Sequence, residues 1–256
     1  SIAPLTHFVE MLFFSNADKL KEMTEKYDLL KPYINYYRTI CGDGNCFYRA
    51  VMFRYLEILI LTNKIQILEK VTCDIIDSFN SDELKKRRII NNNDIKPELT
   101  FKILFIIIDL LKKEEKVNAH QVLVKCFCTC QKFDYAIILY FRYILYEYIK
   151  KNENKIYLKS FPVKIGNLLP NQFENDNGEF LFNEFYEKYL LHFYTDAEKI
   201  IIYLTPFVLG IELNVVVCDL NESDILQKFS WEGESEIKTD EVISVINNKS
   251  HYQIKS

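Results

Sequence analysis

One short stretch holds the residue types that hydrolytic chemistry needs. Asp43, Gly44, Asn45 and Cys46 stand in a row inside Ile40–Val51 (ICGDGNCFYRAV), just before an apolar run. Asp and Gly form a turn signal, and Asn45 suits a helix N-cap. Cys46 then falls at the first helical position, where unpaired N–H groups and the helix dipole favour negative charge. A thiolate there is stabilised, which predicts a pKa below the free value of about 8.5. The same N–H groups can receive a developing oxyanion. Gly44, with no side chain, lets a substrate backbone come close. Residue types alone favour a plainer reading, an inert cysteine buried at a loop-to-helix junction, because free cysteine is commonly buried.

A nucleophilic cysteine also needs a base. The chain has four histidines: His7, His120, His192 and His251. His7 lies near the N-terminus, where chains fray. His120 follows KKEEKVNA and reads as a solvated helix residue. His192, in YLLHFY, reads as a core or boundary histidine. His251 opens a strand-like segment after the polar run NNKS, where a rigid element can present a side chain to a cleft. It is the best placed of the four.

The elements that must position these groups follow from periodicity. Helical segments are expected over Asp18–Tyr33, Cys46–Leu61, Ile60–Phe79, Pro97–Lys113, Phe133–Lys151, Tyr186–His192 and Asp196–Leu209. Asn91–Asp94 and Gly166–Gly178 read as loops. Tyr33–Thr39, Ile211–Leu220, Ile225–Gly233, Val242–Asn247 and His251–Lys255 read as strands. Helices thus fill most of the chain and strands gather in its last fifth, which implies an α+β fold, a small sheet backed by a helical mass. Residues 1–17 are set apart as an N-terminal extension, and 18–256 form one domain.

Composition limits the function classes. With 49% hydrophobic residues in 256, the chain can bury a large core. A net charge of −4 offers no field for nucleic acid. The longest apolar run, Ile200–Cys218, is split by Gly210 and Glu212, so no membrane span is expected. Seven cysteines without framework spacing point to a reducing compartment, the cytoplasm or nucleus. Cys126, Cys128 and Cys130 alternate, unlike the wider ligand pairs of zinc sites, and no metal is expected. Trp231 reads as a packed aromatic of the sheet rather than a contact residue.

The segment DGNCFYRA (Asp43–Ala50) resembles the nucleophile motif of the ovarian-tumour (OTU) cysteine proteases, which remove ubiquitin. His251–Tyr252 is similar to that family's terminal histidine motif. YYRTICGDGNCFYRA, DYAIILYFRYILYEYIKK and DAEKIIIYLTPFVLGIELNVVVCD resemble, in order and spacing, the otubain subgroup (peptidase family C65). The resemblance runs from about Asp18 onward.

It implies a papain-like OTU fold and a thiol deubiquitinase. Cys46 would be the nucleophile, His251 the general base and then acid, and Asp43 with the backbone around Gly44–Cys46 the oxyanion region. Gly44 and Asn45 would border a channel for the ubiquitin tail, while Asn45 and Arg49 would chiefly shape the loop. Otubains carry an aspartate two residues after the histidine to orient it; here that position is Gln253, an amide that cannot stabilise an imidazolium as a carboxylate does. Asp43 is the nearest candidate to compensate. No cofactor is implied. The partners implied are ubiquitin or polyubiquitin and E2 conjugating enzymes, for a monomer that meets neither nucleic acid nor membrane. Two alternatives stand beside hydrolysis of ubiquitin conjugates. One is a weakly catalytic or non-catalytic ubiquitin/E2-binding inhibitor. The other is a deconjugase for a ubiquitin-like modifier.

Overall fold

The helix that begins at Cys46 is apolar on nearly every face, and much of the rest of the chain covers it. The computed structural model describes residues 2–5, 25, 27–85, 95–152, 156–157, 163–164, 181–217, 226–229, 242–248 and 251–255. Helix α1 (Cys46–Leu61) buries 14 of its 16 residues. A helix apolar all round must lie inside, and each large side chain so buried contributes about 1.5–3 kcal/mol relative to exposure.

Four helices follow, three of them packed directly against it. Helix α2 (Ile65–Asn80) turns Leu68, Val71, Thr72, Ile75 and Phe79 inward at helical spacing. Helices α3 (Pro97–Lys112), α4 (Lys116–Thr129) and α5 (Gln131–Asn152) follow. Pro97 opens α3, where its missing N–H has no intrahelical partner to lose. Short helix α6 (Phe182–Phe185) runs on as a π-turn over Tyr186–Leu190, and α7 spans Lys199–Leu209. Gly210, left-handed at φ 63, ends α7 and donates its N–H to Pro206 O.

The sheet gathers strands from both ends of the chain. Strand β1 is Ile2–Pro4 and β2 is Tyr36–Arg38. A separate two-stranded ribbon pairs β3 (Ile156–Tyr157) with β4 (Val163–Lys164). Strands β5 (Glu212–Val217), β6 (Leu226–Phe229), β7 (Val242–Asn248) and β8 (His251–Lys255) complete the large sheet. Its order is β1-β2-β8-β7-β5-β6. The β5–β7 pair is parallel and the other neighbours are antiparallel.

Period-2 patterning sorts its side chains. Leu213, Val215, Ile243, Val245, Tyr252 and Ile254 join the main core around α1. Val216, Ile246 and Tyr37 face a second cluster with Leu5, Leu30 and Ile34.

The α+β class, with a small and mostly C-terminal sheet against a helical mass, is therefore the observed fold. Several boundaries differ. Strand β1 lies in the stretch set apart as an extension: Ile2–Pro4 pairs with Tyr36–Arg38 and Leu5 is buried. Ile60–Phe79 is broken at Asn63, whose φ of 57 starts a turn before α2. Residues 195–198 stay non-helical, so α7 starts three residues later than Asp196. Half of the Asp18–Tyr33 segment (18–24 and 26), the loops at Asn91–Asp94 and Gly166–Gly178, Trp231 and His7 lie outside the described residues.

Candidate active site

The turn before α1 is built by its own side chains. Asp43 Oδ1 accepts the Asn45 N–H at 3.0 Å, closing an Asx turn. Gly44 sits at φ 75, a left-handed conformation that costs glycine little. A Cβ on Gly44 would lie 2.4 Å from the carbonyl carbon and oxygen of Tyr194. The clearance read as room for a substrate backbone is thus filled by the protein's own loop. Asn45 also differs from expectation. Its side chain makes no cap hydrogen bond and is fully buried. Its Oδ1 instead accepts from Arg142 Nη2 at 2.9 Å and from the Tyr194 N–H at 3.3 Å. The Asn45 side chain thus points into the protein, and its backbone N–H is taken by Asp43.

Arg49, one turn into α1, anchors the turn from below. Its guanidinium meets Asp43 through Nη1 (2.9 Å) and Nη2 (2.8 Å). It meets Asp134 of α5 through Nε (2.9 and 3.0 Å) and Nη2 (2.9 Å). Nη1 also reaches Cys41 O at 3.2 Å. Burial works against ionising Asp43, but the Arg49 bonds and charge outweigh it and hold the carboxyl below its usual value. For the deeper Asp134, burial outweighs Arg49 and raises the carboxyl. Asp43 therefore holds the turn in place. Both of its oxygens accept from Arg49, and Oδ1 also closes the turn.

A second guanidinium fixes the same turn from the other side. Arg142 of α5 is fully buried, and its bonds go to neutral oxygens. Nη1 donates to Leu190 O and Thr195 Oγ1, both at 3.1 Å. Nη2 donates to Thr195 O (2.8 Å) and Asn45 Oδ1 (2.9 Å), with Gly44 O farther off at 3.4 Å. Its carbon lies 3.7 Å from the Tyr48 ring centroid, a cation–π contact.

Cys46 is 2% exposed at the start of α1. The backbone N–H of Tyr252 in β8 donates to Cys46 Sγ at 3.4 Å. Strand β8 is held there by the Tyr252 ring, 4.9 Å edge-on to Phe47, and by Asn247 Nδ2 donating to Tyr252 Oη at 3.2 Å. His251, whose backbone pairs with Asn248, directly precedes Tyr252. The side chains of His251 and Gln253 lie outside the described residues.

The thiol corrects the expectation of a lowered pKa. Burial pushes it up, and the charges of Asp196 and Asp43 push the same way. The N–H groups of Tyr252 and Phe47 oppose without winning. The helix N-terminus is real, but packing β8 over it removes the water that would favour the charged form.

The other histidines do different work. His120 is half-buried in α4 and its Nε2 lies 2.7 Å from Glu57 Oε1, so it is not merely solvated. Glu57, inside α1, also accepts from Arg38 (3.0 Å) and Arg54 (2.6 Å). His192 is exposed rather than core, with Nδ1 2.7 Å from Phe193 O. Among the described residues no group of three His, Cys, Asp or Glu could hold a metal ion, and no helix is long and apolar enough to cross a membrane.

The sequence reading missed Asp134, Arg142, Tyr194 and Thr195. Arg142 did carry a signal, as a lone cation inside the apolar run Tyr135–Tyr146.

A cysteine opening a buried helix, covered by a strand of a small sheet, on a helical mass: this is the papain-like OTU fold. The chain belongs to the otubain family, peptidase C65, whose family model matches residues 6–255. It is similar to the structure of h/ceOTUB1 with ubiquitin aldehyde and UBC13~Ub, at 16% identity and a TM-score of 0.63, covering 100% of this chain and 89% of that one. It is equally similar to h/ceOTUB1 with ubiquitin aldehyde and UBCH5B~Ub, at 17% identity, TM-score 0.63 and 88% of that chain. A ceOTUB1 complex with ubiquitin aldehyde and UBC13~Ub gives 17%, 0.63 and 92%. At these identities the likeness establishes the fold. No curated protein matches the chain.

Proposed function

We propose that this otubain is a thiol-dependent deubiquitinase that hydrolyses isopeptide bonds after the C-terminal glycine of ubiquitin. The observation that carries the reading is the Tyr252 N–H on Cys46 Sγ, which puts the backbone beside His251 against the sulfur that opens α1. His251 takes the thiol proton, and Sγ attacks the glycine carbonyl. The tetrahedral oxyanion forms at the helix N-terminus. Its collapse gives a thioester and expels the lysine amine, which leaves with the proton from His251. Water, deprotonated by His251, then releases the glycine carboxylate and restores the thiol. No metal or organic cofactor enters. The chemistry needs a reduced thiol, and we assign the cytoplasm, with the nucleus as a second compartment.

A second reading has its own support. Gln253 stands where the family pattern has an aspartate, and burial holds the Cys46 thiol up. A poorly catalytic protein that binds ubiquitin and E2 enzymes fits both facts, and the similar h/ceOTUB1 structures contain ubiquitin aldehyde and E2~Ub conjugates. A ubiquitin C-terminal electrophile and a di-ubiquitin panel decide between them. The hydrolase reading expects covalent labelling at Cys46, turnover of at least one linkage, and faster turnover in Gln253→Asp. Tight ubiquitin or E2 binding without turnover, in wild type and in Gln253→Asp alike, supports the inhibitor. Labelling only by probes of another modifier would identify a deconjugase for a ubiquitin-like protein.

A further inference from the structure

The peptide joining Gly44 to Asn45 is held at both polar ends. Its N–H points at Asp43 Oδ1 (3.0 Å), and its carbonyl faces Arg142 Nη2 (3.4 Å). That matters because a peptide after a left-handed glycine can flip at little intrinsic cost, and a flip here would turn the amide plane next to Cys46. The contact to Gly44 O is long, but the same nitrogen grips Asn45 Oδ1 at 2.9 Å and Thr195 O at 2.8 Å, so one buried group holds the carbonyl end of the peptide and the side chain that follows it. Arg142 also joins two walls. Through Leu190 O and Thr195 it ties down the loop whose Tyr194 backbone fills the space beside Gly44. Tyr194 is itself left-handed, at φ 67, a conformation a tyrosine keeps only when its surroundings impose it. A buried cation with no carboxylate among its hydrogen-bond partners is an expensive way to fill a core, which argues that its geometry is used.

We propose that Arg142 is a positioning residue for the nucleophile: it locks the Gly44–Asn45 peptide and the Tyr194–Thr195 loop in the one arrangement that aims the start of α1 at the scissile carbonyl. This rests on the hydrolase reading above.

The test compares Arg142→Met, which keeps bulk, and Arg142→Lys, which keeps charge without the fork. Each is assayed by thermal melting, by ubiquitin-electrophile labelling and by amide hydrogen exchange at residues 44–46 and 194. Small misplacements of reacting groups cost about 100-fold, so folded Arg142→Met should lose about that in the maximal labelling rate while half-saturation by the probe stays put. Its Asn45 amide should exchange about tenfold faster as local opening becomes easier, and Arg142→Lys should recover part of both. A purely structural role would lower the melting temperature and leave labelling of the folded fraction unchanged, which overturns the proposal. So does failure of both variants to fold, since Arg142 would then hold the fold and not the turn. If wild type ignores the probe, the hydrolase reading falls, while unchanged exchange at Asn45 would separately refute the lock.

Discussion

Arg49→Met should destabilise the protein more than Asp134→Asn, and acid should narrow its deficit. In the folded chain one guanidinium serves two carboxylates through five N–H···O contacts of 2.8–3.0 Å. Two acids on one base leave this cluster net negative. Replacing Asp134 by asparagine leaves a neutral, bidentate Arg49–Asp43 pair and keeps an acceptor in place. The loss is about 1–3 kcal/mol, the worth of a charged hydrogen bond. Replacing Arg49 by methionine fills its volume but strands both carboxylates. Removing one partner of a buried pair costs about 3–5 kcal/mol, and here a second charge is orphaned too, so the upper end is expected. At about 2–4 °C per kcal/mol for a domain near this size, that upper end is a fall of roughly 10–20 °C in Tm.

The pH dependence has a defined sign. In wild type the Asp43 carboxyl is depressed, because Arg49 outweighs burial. Its contribution is present at neutral pH and is lost as pH falls through the folded-state pKa. The Asp134 carboxyl is raised by burial, so its contribution is largest in acid and is lost as pH rises through its folded-state pKa. Without Arg49 both carboxyls become raised groups that destabilise at pH 7 and recover on protonation. The gap between Arg49→Met and wild type should therefore shrink from about pH 7 to about pH 4. Urea unfolding followed by circular dichroism across that range measures it. The reasoning fails if Arg49→Met lies within about 1 kcal/mol of wild type at pH 7, if Asp134→Asn costs as much, or if acid widens the gap.

Two further outcomes follow from the site. Gly44→Ala forces a left-handed alanine, worth roughly 1–2 kcal/mol, and drives its Cβ to 2.4 Å from the Tyr194 backbone, so it should lower Tm and abolish probe labelling; wild-type labelling by a folded variant would mean that the Tyr194 loop yields. Asp196→Asn removes a charge that raises the Cys46 thiol, so the pH midpoint of Cys46 alkylation should move down; an unmoved or higher midpoint would show that this carboxylate is not felt at the sulfur.

Local chemistry was readable in the sequence, and distant pairing was not. Helix α1 begins and ends where its apolar run and the Asp–Gly turn predict, at Cys46 and Leu61. Strand β5 falls within its β-branched run, β8 matches its expected span, and β7 runs one residue past its own. The partners of the motif lie far off: Asp134 is 85 residues from Arg49, and Arg142 is 97 from Asn45. No periodicity couples such positions. The purpose of Gly44 was misread for the same reason, since the backbone that needs its missing Cβ is 150 residues downstream, at Tyr194. The thiol was misjudged because a helix N-terminus is a local fact, whereas its burial under β8 is a tertiary one.

On the hydrolase reading, that burial changes what the position two residues after the histidine must do. A helix N-terminus open to water would favour a resting thiolate–imidazolium pair, and a carboxylate after the histidine would steady the cation. Here burial, Asp196 and Asp43 all favour the protonated thiol, with two backbone N–H groups opposing. On the hydrolase reading the proton then moves to His251 as the carbonyl is attacked, and imidazolium is present only transiently. A neutral Gln253 is less of a handicap in such a site than beside a standing ion pair. It follows that Gln253→Asp should raise the alkylation rate of free Cys46 near neutral pH by stabilising the ion pair at rest, and should raise turnover by a smaller factor. An equal gain in both would mean that the resting pair already exists and that burial does not govern the thiol.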